Sequence, residues 1–101
     1  MKTIKMSAPT RAWKPLRSLA NIGKVSEKIL NQIGIFAADD FLCRDPYEVF
    51  SELRQKVDPS LCRCALAGIV GAKLDQPWHL ITKATARECE RRHPDHVWGK
   101  C

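Results

Sequence analysis

Three groups of residues in this 101-residue sequence have types and spacings that could do chemistry. The first is basic: Lys14, Arg17, Lys24 and Lys28 surround the turn Asn21-Ile22-Gly23. A tight turn that runs into a helix leaves the first amides of that helix without intrahelical partners. With the positive end of the helix dipole behind them, such amides hold phosphate. Lys24 and Lys28, four apart, share one side of that helix. Lys14 and Arg17 flank it from the segment before. This is the geometry of a helix-hairpin-helix module, which grips the nucleic-acid backbone without reading bases. The candidate nucleic-acid-binding residues are therefore Lys14, Arg17, Asn21, Gly23, Lys24 and Lys28. Asn21 stands where the usual form has glycine, and asparagine tolerates the left-handed backbone such a turn needs. Its side chain could crowd a phosphate, and Glu27 sets a negative charge near it. The competing reading is a structural corner whose amides meet only water.

The second group is Cys89, His93, His96 and Cys101, whose spacings loosely resemble zinc ligands. Cys89 and His93 share a helix face, but no turn chemistry is apparent to bring the other two round. Structural zinc sites usually use two tight pairs well separated in sequence, and here there is one cluster. The sequence favours a half-buried cysteine followed by an exposed tail, with no metal. The third group is Cys62 and Cys64, which point to different faces of a helix and make no redox pair. His79 has no nucleophile or carboxylate arranged with it. No glycine-rich nucleotide loop is present. Nothing marks an enzyme, and no cofactor is expected.

The positive charge is localised. Residues 1–30 hold seven basic residues and one acid, Glu27, while residues 31–101 hold ten of each. The whole net charge of +6 therefore surrounds the hairpin. Such a region attracts polyanions, nucleic acid first, unless it only keeps the chain soluble. The longest nearly uncharged run, Cys64 to Ala72, is far shorter than the roughly 18 residues of a membrane span. The N-terminus lacks the apolar run of a secretory signal. Five cysteines suggest no regular set of pairs, which points to a reducing cytoplasm.

The elements that must position these groups read as helices. Residues 1–12 are expected to be a basic, flexible arm, residues 13–93 a helical domain and residues 94–101 an irregular tail. Pro15 opens a short helix over residues 15–19. A second begins near Lys24, with Val25, Ile29, Leu30 and Ile33 on its apolar face, and Gly34 stops it. One helical turn starts near Asp39, with Asp39 and Asp40 as caps. Asp45 caps a helix with Pro46 at its first position and Tyr47, Phe50, Leu53 and Val57 inward. Asp58-Pro59 repeats the device for a central helix from Ser60 to about Leu74. Its small residues, Ala65, Ala67, Gly68, Gly71 and Ala72, would let neighbours come close. A turn over residues 75–81 anchors Trp78 and Ile81 to the core, and Thr82 caps a last helix that Pro94 closes. The expected fold is all-α: five or six short helices in one domain of helix-hairpin-helix type.

Three stretches carry a resemblance: "LRSLANIGKVSEKILNQIGI", "PYEVFSELR" and "SLCRCALAGIVGAKLDQPWHLI". They resemble the C-terminal domain of the TfoX/Sxy family, bacterial regulators of competence, often described as DNA transformation proteins. The matching positions are Leu19, Asn21, Ile22, Gly23, Ser26, Gly34 and Ile35, then Leu61, Leu66, Gly68, Gly71 and Trp78. The resemblance covers about residues 16 to 92. It implies an all-α domain and a non-enzymatic regulatory role, and it makes the asparagine of the hairpin normal. Full-length members carry an α/β domain before this one, and here about 15 residues precede the match. The resemblance therefore implies fold more firmly than function.

Two functions follow as expectations. In one, a small cytoplasmic regulatory domain contacts DNA through the hairpin and its basic surroundings, with weak sequence choice. In the other, the domain docks a transcription factor or itself through exposed apolar residues such as Trp13, Phe36 or Trp98.

Overall fold

The computed structural model describes residues 14–99, and all regular structure among them is helical. The first helix of the sequence reading is a single 3-10 turn, Leu16–Ser18. It is tied to the domain at both ends. Lys14 O accepts from Ala38 N at 2.9 Å, and Pro15 and Ala37 form an isolated antiparallel bridge.

Five α-helices follow: α1 (Lys24–Asn31), α2 (Ala38–Leu42), α3 (Pro46–Lys56), α4 (Arg63–Leu74) and α5 (Trp78–Arg92). Helix α1 stops as expected at Gly34, whose φ of 85° lies in the left-handed region. Its inner face is Ile29, Leu30 and Ile33, but Val25 is 76% exposed. Ile22, just before the helix, is in the core and Val25 is not. Helix α2 begins after Ala37 with no side-chain cap; Asp39 and Asp40 are exposed in its first turn, where they favour the dipole without capping.

Helix α3 starts as read, with Asp45 accepting from Tyr47 N at 2.9 Å and Pro46 at the first position. Val49 joins Phe50 and Leu53 in the core, while Tyr47 and Val57 are half-buried. Helix α4 starts three residues later than expected. Asp58 accepts from Ser60 N at 2.9 Å, which closes a local turn, and the chain stays extended through Cys62. Leu66, Ala67, Ile69, Val70, Gly71 and Ala72 of α4 are buried, so it is the central helix. It packs most extensively on α5, then on α3.

Helix α5 starts four residues before Thr82. Thr82 caps nothing; its hydroxyl donates back to Trp78 O at 2.8 Å inside the helix. Trp78 is the first helical residue and 42% exposed, so it does not anchor in the core, and Ile81 is half-buried. The tail beyond α5 is exposed only in part: Pro94, Asp95 and Val97 are exposed, but Trp98 packs on the core and His96 is half-buried. The core itself joins every helix, from Leu16 and Ile22 through Phe41, Phe50, Leu53 and Leu66 to Cys89.

Candidate nucleic-acid interface

Gly23 is the N-cap of α1, in extended backbone with φ −104°, and it offers no capping side chain. Among the described residues, its chain neighbours aside, no atom lies within 4 Å of where its Cβ would be, so the space over it is open. The first intrahelical bond is Glu27 N to Gly23 O at 2.9 Å. The amides of Lys24, Val25 and Ser26 precede it and have no intrahelical partner. Lys24 and Lys28 are exposed on this helix, and Lys14 and Arg17 are exposed beside it in sequence. Glu27 in the first turn is met by Arg17, whose Nε lies 3.2 Å from the carboxylate. The one acid of the region thus sits against one of its cations.

Asn21 is the left-handed residue of the hairpin, with φ 66°. Its side chain is committed to the corner between α4 and α5. Nδ2 donates to Gln76 O at 2.7 Å and, at the outer limit, to Gly68 O at 3.5 Å. Oδ1 accepts from Trp78 N at 3.2 Å. A carbonyl partner and an N–H partner together fix which end of the amide is which. Asn21 therefore supplies the cap that Pro77, the N-cap of α5, lacks. A Cβ at position 71 would collide with Asn21 Nδ2 and Gln76 O, so the clamp needs glycine there. The side chain does not crowd the first turn of α1; it joins the hairpin to the far end of the domain.

Between α1 and α4 lies a mostly apolar groove of about 280 Å³, lined by Ser26, Ile29, Ala65, Gly68 and Trp78 among others. Of the three apolar anchors named for docking, Phe36 is 63% exposed, Trp98 is half-buried against Phe50, and Trp13 lies outside the described residues.

The second sequence group is brought partly together. The Pro94-Asp95 turn, closed by His96 N to His93 O at 3.0 Å, folds the tail back. Cys89, His93 and His96 line one cavity, with Arg54, Ser51 and Tyr47. Among the described residues no group of three or more His, Cys, Asp or Glu is placed to hold a metal ion, and Cys101 lies outside them. Among the described residues Cys43, Cys62 and Cys89 form no disulfide. Sequence reasoning missed a charged joint between α3 and α5. Arg92 meets Asp45 at 3.0 Å and Glu88 at 2.8 Å, and its guanidinium lies 4.3 Å over the Tyr47 ring. Arg91 bonds Glu88 as well. These two arginines hold the Glu88 carboxyl down at about 2. Burial pushes Asp45 up, but Arg92 and the Tyr47 amide outweigh it and its pKa is lowered. The i, i+4 spacing of Glu88 and Arg92 was a signal for one half of this joint.

No helix among the described residues is long and apolar enough to cross a membrane. The family model for the TfoX C-terminal domain matches residues 13–92. No curated protein matches the chain. A solved structure, that of an uncharacterized protein from Listeria monocytogenes in a triclinic crystal form, is similar to it. The TM-score is 0.67 at 25% identity, over 82% of this chain and 98% of that one.

Proposed function

From the premise that this chain belongs to the TfoX C-terminal domain family, we propose that it is a non-enzymatic regulatory domain that contacts the DNA backbone. The observation that carries this reading is the N-terminus of α1. Its cap residue is a glycine with open space above it, and Lys24 and Lys28 are exposed on the same helix. Amides without intrahelical partners, the helix dipole and two lysines form an arrangement that suits a phosphate. Arg17 against Glu27 weakens the repulsion that a lone carboxylate would exert there. Contact of this kind has little sequence choice, so selectivity would come from elsewhere. The role in competence regulation and the cytoplasmic setting belong to the same proposal and rest on the family. The test is fluorescence anisotropy of the chain with a labelled duplex across a salt series, beside a Lys24→Glu/Lys28→Glu variant. Binding is expected to fall steeply with salt and to vanish in the variant. A variant that binds as the parent does would remove α1 from the interface.

One observation favours a second reading, in which the domain docks a protein. The groove between α1 and α4 is apolar, and Trp78 on its edge is 42% exposed. Absence of duplex binding even at low salt would turn the reading to this groove.

A further inference from the structure

The segment after α5 is folded back across the domain. The Trp98 indole N–H donates to Glu90 at 2.9 Å, and its ring lies 6.1 Å from that of Phe50 and 5.2 Å from the Arg63 guanidinium. Gly99 N donates to Leu61 O at 3.4 Å. A Cβ at Gly99 would collide with the Ser60 carbonyl, so only glycine fits this approach. Between these anchors, His96 sets its ring 4.2 Å from that of Trp98 and its Nδ1 3.1 Å from Arg54 Nη1. Residues 94–99 lie beyond residues 13–92 that the family model matches, though the groups they bond lie within it, and the proposed DNA contact does not use them.

The contact between Arg54 and His96 permits one protonation state. A guanidinium is always charged and only donates. Nδ1 must therefore present its lone pair, which leaves the proton of the neutral ring on Nε2. Nε2 is buried without a hydrogen-bond partner, and so is Arg54 Nε. Arg54 is also held at its other end, where Nη2 donates to Pro59 O at 3.2 Å and Val97 O at 3.1 Å. It cannot swing aside without releasing Val97. A proton added to His96 puts N–H against N–H and a second positive charge beside the first. The charged and titratable groups facing the ring are Arg54 from α3, Arg63 from α4, Glu90 from α5 and His93 just after it; the Cys89 thiol lines the same cavity. Only Glu90 favours the charged ring, and its carboxylate already accepts from Trp98. Burial first, then Arg54, hold the His96 pKa below its ordinary value.

We infer that residues 94–99 are a pH-gated strap, held down by neutral His96 on Arg54 and released when His96 takes a proton. The sign follows from linkage. The released ring binds protons more readily than the docked one, so docking is complete above the ordinary histidine value of 6.5 and weakens as pH falls through it. Each unit by which docking lowers the ring's pKa is a ~10-fold loss of docking on the acid side. Release uncovers Phe50, now 2% exposed, and takes His96 out of the lining of the cavity of about 270 Å³ that Phe50 shares with Tyr47 and Cys89.

The test is NMR of the full chain from about pH 8 to about pH 5, across the histidine range. It follows the His96 ring, the Trp98 indole N–H, and backbone relaxation at Val97 and Trp98. The indole resonance is expected to move and the two residues to become mobile with one midpoint, shared with the His96 ring, while the helices keep their signals. His96→Gln, whose amide oxygen can accept from Arg54 without titrating, is expected to keep the strap docked throughout. A His96 ring that titrates while Trp98 and Val97 stay put would overturn the inference. So would a strap that leaves at the same pH in His96→Gln. The coincidence of midpoints in the parent chain decides the matter even if the variant does not fold.

Discussion

At the scale of single residues, Asn21 does two things that no other side chain could combine. It takes a left-handed backbone and it bonds three groups of a corner more than forty residues away in sequence. Two substitutions separate these contributions. Asn21→Gly keeps the backbone and loses the bonds, and we expect it to cost about 1 to 2 kcal/mol, since the groups released are partly exposed. Asn21→Ala loses the bonds and also strains the turn, for roughly 1 kcal/mol more. Urea unfolding of both variants measures the difference. If Asn21→Ala proves as stable as Asn21→Gly, the left-handed turn is not retained and the clamp has another geometry.

At the scale of elements, what was legible in the sequence depended on how far the deciding contact lay along the chain. The start of α3 was readable because Asp45 caps its own neighbour, Tyr47. The stop of α1 was readable because Gly34 serves the turn it sits in. The start of α5 was not, because its cap comes from Asn21, 57 residues away from Trp78. Thr82 offered a better local signal and was overridden. At the hairpin, the place of Gly23 before the helix and of Lys24 and Lys28 on it was legible; the inward commitment of Asn21 was not, since it depends on how α4 meets α5. The joint of α3 to α5 is another contact of this kind, and it makes a pH prediction. Glu88 is held at about 2 against an ordinary 4.5. A carboxylate with a lowered folded pKa stabilises above its unfolded value and loses that contribution as pH falls towards the folded one. Asp45 shifts in the same direction. Melting temperatures measured between about pH 6 and pH 2 should therefore fall with acid. Glu88→Gln should start lower at neutral pH and fall less below 4.5. An acid limb of unchanged slope in that variant would mean the Arg91 and Arg92 contacts are not kept in solution.

At the scale of the whole molecule, the question is whether the basic excess acts through the fold or apart from it. Residues 1–12 carry three cations, Lys2, Lys5 and Arg11, while Lys14, Arg17, Lys24 and Lys28 belong to the described domain. A purely electrostatic attraction would not distinguish the two sets. Contact built on the N-terminus of α1 would, because its amides and lysines are fixed relative to one another. Each phosphate neutralised adds roughly 0.9 to the slope of log affinity against log salt. Removal of residues 1–12 can thus lower that slope by at most about 2.7, the share of three cations. The remaining chain should still bind, more weakly, with a slope that the Lys24→Glu/Lys28→Glu change then abolishes. If the shortened chain loses all binding while its helices melt at the parent's temperature, the contact resides in the first 12 residues. The open cap at Gly23 is then only the end of a helix, and the groove beside Trp78 becomes the surface through which this domain acts.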